Sequence, residues 1–584
     1  MRAAQDISRR KVMGVYYTPV RLAEFLASHL VRQVSSDARL RILDPACGDG
    51  VLLEALLVAL RQRGINECEA CGVEVEEEAL LAAGARLSRF ENINLHLIHG
   101  DFLDLVAGGN GQRELWEASH RSLEVDQAFD LVIANPPYVR TQALGAERAR
   151  QLAQRFGLTG RVDLYHAFIV GMTEALRGGG AMGIITSNRF LSTLGGASIR
   201  RYLAREFDID EVIDLGDTKI FSAAVLPAIF VGRRRRDSQS GRTSPHARFI
   251  KVYSRRDVSD EEAAVLRSGG DLFDILNCGR SGCYRVSEGV FEVTCGDLEL
   301  DRDSGRMWCL TTRGEAEWVA RVRGASAGVL GDVAVVRVGI KTTADEVFIR
   351  SDWDSLPPPM RPEPELLRPL ISHEHTRRWV PSTEDVPPLR VLYPHEVSGG
   401  VRKVVDLGRY PRAKAYLESH RDRLEKRRYV KEAGRQWYEI WVPQDPQGWS
   451  APKIVFPDIS PDPRFGLDLQ GRLVDGNCYW ITLRPGPDPD TIYLLLGVAN
   501  SRLMSRFHDL AFNNKLYASR RRYMTQYVSQ YPYPDIASPA SRKLIALVKE
   551  AVQTRASAED EWLDAQVDGL VEEAFGLLSC EAAP

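Results

Sequence analysis

Short apolar segments alternate with longer amphipathic segments between about residues 20 and 233. The amphipathic segments predict helices, for example over 51–63, 76–89 and 163–176. The apolar segments have no polar face, so they predict strands that are buried on both sides. The predicted strands cover 40–43, 70–75, 93–98, 130–134, 182–186, 210–215 and 228–231. Such strands separated by helices predict a doubly wound α/β domain, with a parallel sheet covered on both faces.

The pattern changes after residue 235, where RDSQSGRTSPHA (236–247) is rich in Ser, Gly and Pro. We predict a first domain over 1–235 and a linker and connecting region over 236–329. Short strands, prolines and mixed aromatic and basic residues predict a second, α+β domain over 330–537. The remaining residues, 538–584, have helical periodicity and predict a C-terminal helical segment.

The composition is typical of a globular protein, with 44% hydrophobic and 27% charged residues among 584. No run of about 18 uncharged apolar residues and no signal-peptide core is present, so we expect a cytoplasmic protein without a membrane partner. Nine scattered cysteines argue against a disulfide framework. Cys68 and Cys71 have metal-like spacing, but no second pair follows, so we expect buried thiols and no metal.

The net charge of −3 averages over unlike parts of the chain. Residues 401–530 contain 22 Lys and Arg against 14 Asp and Glu, whereas the other residues together are acidic. This asymmetry favours a C-terminal region that meets a polyanion, with a solvated helix face as the lesser alternative for any single basic run.

Candidate chemistry lies at the predicted carboxyl ends of the strands, where open α/β sheets bind ligands. The first strand leads into DPACGDG (44–50), and Glu74 follows the second at a spacing that suits a ribose-binding acid. Asp101 and Phe102 follow the third strand. Each has an ordinary structural alternative: Glu74 could cap a helix, Asp101 could sit in a turn, and Phe102 could be core.

The fourth strand ends in NPPY (135–138). Pro136 and Pro137 have no backbone N–H, so this turn presents carbonyl acceptors and almost no donors. It therefore predicts a ligand that is rich in hydrogen-bond donors.

Together, GVYYTP (14–19), DPACGDG, GVEV with Glu74, GDF (100–102), NPPY, DLYHAFI (163–169) and FSAAVLPAIFV (221–231) resemble the gamma-class N6-adenine DNA methyltransferases of the TaqI type. The resemblance is strong over the first 235 residues. It is weaker in GIKTTADEVFI (339–349), KIVFPDIS (453–460) and ANSRLMSRF (499–507). It implies a Rossmann-like, S-adenosylmethionine-dependent methyltransferase domain followed by an α+β DNA-recognition domain.

The resemblance implies that Asn135 Oδ1 and the Pro136 carbonyl accept the two N6 hydrogens of a flipped-out adenine. With Pro137 and Tyr138, these form the catalytic motif, and Tyr138 and Phe221 are expected to stack on the base. The residues expected to bind S-adenosylmethionine are Tyr17, Thr18, Asp44, Ala46, Cys47, Gly48, Glu74, Asp101, Phe102 and Asn135.

In the second domain, basic residues near aromatic ones are expected to contact double-stranded DNA, mostly at phosphates. They are Arg377, Arg378, Lys426, Arg427, Arg428, Arg520, Arg521 and Arg522. The resemblance further implies a monomer that pairs functionally with a restriction endonuclease, without a physical complex. Since GVYYTP begins at residue 14, we expect no nuclease fused before it.

Three alternatives stay open at this point. NPPY also occurs in methyltransferases of protein glutamine or RNA bases, because each target is a planar amino group. The chain could instead be a phage-defence or orphan DNA methylase without a cognate nuclease. It could also be a DNA-binding protein that retains an inactive methylase fold, against which the complete set of motifs argues.

Overall fold

The computed structural model describes residues 18–577, except 35–38, 108–127, 139–145, 160–162, 222–225, 237–246, 256–257, 259–265, 301–304, 399, 445, 513–514, 517–519 and 557–559. The chain divides into two compact units. The first comprises residues 1–316 with 516–519, and the second comprises 317–515 with 520–584.

An eleven-stranded sheet forms the centre of the first unit, in the order β3-β2-β1-β4-β5-β7-β6-β8-β11-β10-β9. Its strands are β1 (Leu40–Asp44), β2 (Cys68–Glu74), β3 (Ile93–His99), β4 (Phe129–Ala134), β5 (Leu176–Ser187), β6 (Phe207–Asp214), β7 (Pro227–Arg234), β8 (Ala247–Ser254), β9 (Arg267–Ser268), β10 (Gly282–Val286) and β11 (Gly289–Leu298). Its described helices are α1 (Val20–Leu30), α2 (Val51–Gln62), α3 (Glu77–Leu87), α4 (Phe102–Ala107), α5 (Ala146–Arg155), α6 (Leu164–Ala175), α7 (Arg189–Ser192), α8 (Ala197–Glu206) and α9 (Leu272–Asn277).

Both faces of the central strands are buried, as the absence of a polar face predicted, whereas β3, the last strand at one end of the sheet order, has no buried residue. Along β4, Leu131 and Ile133 join the apolar cluster that contains α1 and α2. The intervening Val132 and Ala134 join the cluster that contains α4, α6 and α8. The doubly wound α/β fold is therefore confirmed.

One strand departs from the predicted parallel arrangement. β7 pairs antiparallel with both of its neighbours, β5 and β6. The described residues between β6 and β7, 215–221 and 226, contain no helix, whereas a parallel strand usually needs a helical crossover. A short connection returns the chain in the opposite direction.

The segment 236–329, which the sequence pattern suggested to be a linker and connecting region, contributes β8–β11 to this sheet. β8 pairs in parallel with β6 and antiparallel with β11. Phe249 and Val252 of β8 are buried, so this strand covers what would otherwise be an open edge of β6. The first compact unit accordingly extends to Ala316.

The second unit contains two four-stranded sheets, β13-β23-β19-β21 and β14-β16-β15-β22, and three two-stranded ones. Its strands are β12 (Gly328–Val329), β13 (Ala334–Val338), β14 (Ile349–Arg350), β15 (Leu367–Ile371), β16 (Leu389–Leu392), β17 (His395–Ser398), β18 (Val401–Val404), β19 (Lys453–Pro457), β20 (Ile459–Ser460), β21 (Gly466–Asp468), β22 (Leu473–Val474), β23 (Cys478–Leu483), β24 (Arg521–Arg522) and β25 (Pro532–Tyr533). Its helices follow α10 (Arg313–Gly324), which contains the boundary: α11 (Leu330–Val333), α12 (Asp345–Phe348), α13 (Pro411–Ser419), α14 (Arg421–Glu425), α15 (Arg428–Glu432), α16 (Thr491–Asn500), α17 (Arg502–Phe512), α18 (Thr525–Val528), α19 (Pro539–Thr554) and α20 (Glu561–Ala574). Mixed strands and helices here fit the predicted α+β class.

Candidate active site

The strand register brings the predicted site residues to one edge of the large sheet. β1 pairs with β2 through Asp44 and Gly72, and with β4 through Leu43 and Val132. β2 pairs with β3 through Glu74 and His99. Because all four strands are parallel, the segments that follow them begin at the same edge.

The turn after β1 depends on two glycines. Gly48 and Gly50 have φ values of 54° and 82°, a region that residues with a Cβ rarely adopt. A Cβ at Gly50 would also lie 3.1 Å from the Cβ of Ala83. The backbone can therefore turn sharply into the first turn of α2, where unpaired N–H groups are available to a ligand.

Cys47 lies on the inner side of this turn. Its N–H donates to the Val73 carbonyl at 2.9 Å, and its Sγ would lie 3.0 Å from a Cβ at Gly72. Burial raises the pKa of the Cys47 thiol well above its usual value. The thiol is therefore a protonated packing group and not a reactive nucleophile.

Glu74 braces the same turn from the end of β2. One carboxylate oxygen accepts from Gly48 N at 2.9 Å, and the other accepts from Val75 N and Glu76 N at 2.9 and 3.0 Å. Glu74 is only half-buried. A carboxylate has about four lone-pair positions, so it retains capacity for a ribose hydroxyl as well as its role in the turn.

Asp44 is fully buried at the end of β1. Its Oδ1 accepts from Ala46 N at 3.1 Å, whereas its Oδ2 has no hydrogen-bond partner among the described residues. Burial, with a smaller contribution from nearby Glu74, raises the pKa of Asp44 to about 8. A buried carboxylate oxygen that lacks a donor suits a cationic ligand, so this site fits S-adenosylmethionine, which carries an ammonium and a sulfonium.

Asp101 caps the next helix, and Phe102 begins it. Asp101 Oδ1 accepts from Leu103 N at 2.9 Å, and Arg148 lies 3.7 Å from its Oδ2. Burial raises the pKa of Asp101. Phe102 is only 2% exposed, and its ring centroid lies 5.7 Å from that of Phe168. The structure thus places Asp101 at the edge of the sheet and the Phe102 ring in the core.

Asn135 of the NPPY motif is held at both ends of its amide. Asn135 Nδ2 donates to Thr18 Oγ1 at 3.0 Å, and the Tyr138 hydroxyl donates to Asn135 Oδ1 at 2.5 Å. Pro136 is buried and Pro137 is half-buried beside it. Hydrogen bonds therefore link Thr18, Asn135 and Tyr138, which are all predicted site residues. Tyr17 lies outside the described residues.

Phe221 lies between β6 and β7, on the segment that approaches the same edge of the sheet. Its side chain is buried in the apolar cluster that contains α1 and α2. The Phe221 ring is therefore a core residue in the structure, although the sequence resemblance implied that it would stack on the base.

The sequence pattern missed a polar network between the ends of β5 and β6. Asn188 Nδ2 donates to Asp214 Oδ1 at 3.1 Å, and the Tyr253 hydroxyl donates to Asp214 Oδ2 at 2.8 Å. Asn188 directly follows an apolar strand, as Asn135 does, and this position was the available signal. The network holds the ends of β5 and β6 together at the edge of the sheet where NPPY lies.

The basic residues predicted to contact DNA have very different surroundings in the second unit. Arg427 is buried and donates to the carbonyls of Thr342 and Trp437, and burial lowers its pKa to about 10. Arg378 is paired with Asp564. Both are structural, which corrects the expectation that they face DNA, since neither guanidinium is free to reach a phosphate.

Among the other six predicted basic residues, some are held by partners within the protein and some are exposed to solvent. Arg521 and Arg522 are held by Asp509 and Asp458, with shortest separations of 2.7 and 3.0 Å. Arg428 is exposed but paired with Glu432, and Arg377 donates to two nearby carbonyls. Lys426 and Arg520 are exposed. The arginine clusters therefore contain paired residues as well as exposed ones.

Neither a membrane span nor a metal cluster is found among the described residues. No helix in that part of the chain is both long and apolar enough to cross a membrane. No group of three or more His, Cys, Asp or Glu within the described ranges is arranged to hold a metal ion.

Comparison with known proteins gives a consistent result. The family model of the Eco57I restriction-modification methylase matches residues 71–221. The chain is 42% identical over 575 residues to the Type II methyltransferase M.BanIII of Aneurinibacillus aneurinilyticus, covering 97% of this chain and 98% of that protein. It is 26% identical over 530 residues to the Type II methyltransferase M.PaeR7I of Pseudomonas aeruginosa, covering 88% and 85%.

Among solved structures, the cryo-electron-microscopy structure of a DrdV–DNA complex is similar in fold, with a TM-score of 0.51 and 13% identity. The match covers 93% of this chain and 57% of that one.

Proposed function

Because the chain belongs to the Type II methyltransferases of restriction-modification systems, we propose that it methylates N6 of a flipped-out adenine in duplex DNA. The methyl donor is S-adenosylmethionine. We further propose that the modified sequence is protected from a partner restriction endonuclease.

The observation that carries the adenine assignment is the geometry of Asn135. Its amide lies at the end of β4, beside the glycine turn at the end of β1 that would hold the cofactor. With Nδ2 tied to Thr18, Oδ1 is the end of the amide that remains for an acceptor role toward a substrate. The Pro136 carbonyl follows directly, so two acceptors are available to one amino group.

The proposed role of the protein in the reaction is to orient the acceptor nitrogen. S-adenosylmethionine supplies an already activated methyl group on its sulfonium. The nitrogen lone pair of an adenine N6 is delocalised into the ring, so a flat amine is a poor nucleophile. Asn135 Oδ1 and the Pro136 carbonyl would accept both N–H groups, favour a tetrahedral nitrogen and hold it toward the methyl. The proton leaves after methylation, when the nitrogen is cationic, so no strong base is required.

The Tyr138 hydroxyl occupies Asn135 Oδ1 in the structure. An amide oxygen has two lone pairs, so a substrate N–H can bind beside the phenol or replace it. The half-buried Tyr138 ring would then stack on a base taken out of the duplex, which is how enzymes reach an atom inside a helix. Phe221 is not assigned this role here, because its ring is buried.

Product analysis tests the proposal. The full-length protein should be incubated with isotopically labelled S-adenosylmethionine and, separately, duplex DNA, RNA or protein, and the products digested and identified by mass spectrometry. Label in N6-methyl-2′-deoxyadenosine from the DNA alone is expected. Label in N4-methylcytosine would contradict the adenine assignment, and label in RNA or in glutamine would support the alternative substrate classes.

A further inference from the structure

The strands β17 and β18 form a two-stranded ribbon that joins none of the other described sheets. Cross-strand pairs run from His395 with Val404 at the base to Ser398 with Val401 at the tip. Gly400 has a φ of 77°, which allows the tight return of the chain. Isolated two-stranded ribbons are marginally stable in water, so this one needs support at its base.

Several buried polar contacts provide that support. His395 is buried, and its Nε2 accepts from Ile440 N at 3.2 Å. Burial lowers the pKa of His395 to about 3, so the ring stays neutral and keeps this acceptor. The Tyr438 hydroxyl donates to the Val405 carbonyl at 2.9 Å just beyond β18. The base of the ribbon is therefore anchored to the segment that follows α15.

The outer half of the ribbon, by contrast, is exposed. Val397 and Val401 are 38% and 61% exposed, although Val is a residue that folded proteins usually bury. Arg402 and Lys403 are exposed on the returning strand. The Arg402 guanidinium also donates to the Gln444 carbonyl at 2.8 Å, which limits its orientation. In the strand register, Val397 lies with Arg402 on one face of the ribbon, and Val401 lies with Lys403 on the other. Each face therefore presents one apolar side chain and one cation.

The surroundings of the ribbon are basic. Residues 401–440 contain twelve Lys and Arg against six Asp and Glu. Arg409 lies 3.5 Å from Glu396, so the acid on the ribbon already has a partner. The net charge of this segment, which begins with β18, is complementary to a polyanion.

We propose that this ribbon, formed by the strands His395–Ser398 and Val401–Val404, enters the major groove of the target DNA and reads part of its sequence; the proposal rests on the proposed function. The major groove, about 12 Å wide, admits a two-stranded β-ribbon, whereas the minor groove is about 6 Å wide. Thymine presents its methyl group only in the major groove, where it suits Val397 and Val401. Arg402 and Lys403 bind guanine edges or the flanking phosphates.

Two double variants of the full-length protein separate these interactions. Arg402→Ala with Lys403→Ala should weaken binding to the duplex that contains the target site by about tenfold or more. The log–log salt dependence should flatten by about 0.9 for each phosphate that the variant no longer neutralises. Val397→Ser with Val401→Ser removes the methyl groups and keeps the charge. It should leave the salt dependence unchanged while extending methylation to sequences altered at a thymine position.

The matched control is Arg542→Ala with Lys543→Ala, which removes the same charge from two exposed positions on α19. This control should change neither affinity nor sequence choice. Sequencing of DNA from cells that express each variant, with detection of methylated bases, gives the site set. Filter binding over a salt series gives the slope.

Replacing thymine by uracil in the site provides a test with the wild-type protein alone, which does not depend on the folding of a variant. Loss of affinity or rate at one such position supports the ribbon, provided that the valine variant no longer responds to that replacement. An unchanged site set and salt slope in both ribbon variants would overturn the proposal. If the wild-type protein methylated no duplex at all, the proposed function would fail instead.

Discussion

Thr18 and Asn135 lie 117 positions apart in the sequence, yet a 3.0 Å hydrogen bond joins their side chains. A rotated Asn135 amide would direct N–H groups toward a substrate amine, so that two donors would face each other. Thr18 precedes α1, which packs on the sheet: a Cβ at Gly183 would lie 3.1 Å from Leu26. The hydroxyl of Thr18 is therefore held in place and fixes the useful orientation of the amide.

Substitution of Thr18 tests this positioning role. Thr18→Val removes the acceptor for Asn135 Nδ2, and the loss of about one hydrogen bond should lower the single-turnover methylation rate by about tenfold. The Kd for S-adenosylmethionine should stay within about threefold of wild type. Thr18→Ser retains the hydroxyl and should restore the rate. A raised cofactor Kd with a normal rate would instead support the role that the sequence resemblance implied, contact with the methionine part of the cofactor.

We expect Asp44 to make cofactor binding sensitive to pH. Its pKa of about 8 means that the free protein carries a protonated Asp44 near neutrality, and a bound cation favours the ionised form. Cofactor affinity should therefore rise between about pH 6 and about pH 7.5, by up to about tenfold per unit, as the cost of releasing the proton falls. Titration calorimetry across this range measures the effect. In Asp44→Asn the rise should disappear, and an equal rise in that variant would exclude Asp44 as its source.

At the residue level, sequence patterns predicted Asp44, Glu74 and Asn135 at the strand ends, because such positions follow directly from where an apolar segment stops. They did not predict the link from Thr18 to Asn135, which depends on how α1 packs on the sheet. They also assigned Arg427 to DNA, since a run of basic residues carries no sign of which side chain points inward.

Among the elements of the second unit, β19 and β21 carry a fully buried ion pair. Lys453 and Asp468 are directly opposed in the register, their charged atoms are 2.7 Å apart, and both side chains are 0% exposed. Trp449 O accepts a second Lys453 hydrogen bond, and Arg472 contacts Asp468 at 2.9 Å. Burial lowers the pKa of Lys453, and the neighbouring Asp468 carboxylate partly offsets this effect.

Breaking this pair should destabilise the second unit. Lys453→Met leaves Asp468 buried with only Arg472 as its cationic partner, and the free energy of unfolding should fall by about 3–5 kcal/mol. Adding Asp468→Leu removes the unpaired charge and should recover part of that loss. Urea-induced unfolding of the full chain, followed by Trp fluorescence, measures both. Equal losses in the single and double variants would show that the charge is not the cause.

The elements were predicted unevenly from sequence. The helices near 51–63, 76–89 and 163–176 correspond to α2, α3 and α6, because an amphipathic period is a local property. The strands β8–β11 were missed, because no regular alternation with helices marks them and because the pairing of β8 with β6 is a tertiary property. The sequence of β7 is a plain apolar run, which does not indicate whether the strand pairs parallel or antiparallel.

At the scale of the whole molecule, we propose that the first compact unit holds cofactor and chemistry, and that the second supplies sequence-specific DNA contacts. The boundary near Ala316 lies well beyond residue 235, where the sequence pattern placed it. A chain cut at 235 would lose β8 and leave the buried edge of β6 open to solvent.

Truncation distinguishes these boundaries. A chain ending at Ala316 should fold and bind S-adenosylmethionine within about tenfold of wild type, because it retains the complete sheet, yet it should lose site-specific DNA binding. A chain ending at Arg235 should aggregate, since an uncovered strand edge pairs with other chains. Light scattering and equilibrium dialysis measure these outcomes. Specific methylation by the shorter chains would contradict the division of labour.

The central claim, that Asn135 orients the amine that is methylated, is tested most directly by single-turnover methylation of duplex DNA by Asn135→Ala. The rate should fall by at least about a thousandfold while cofactor and DNA affinities stay within about threefold, because the Asn135 amide acts on the reacting group itself. Asn66→Ala, at an exposed asparagine, is the matched control and should methylate at the wild-type rate. A rate for Asn135→Ala close to wild type, with both substrates bound, would contradict the account.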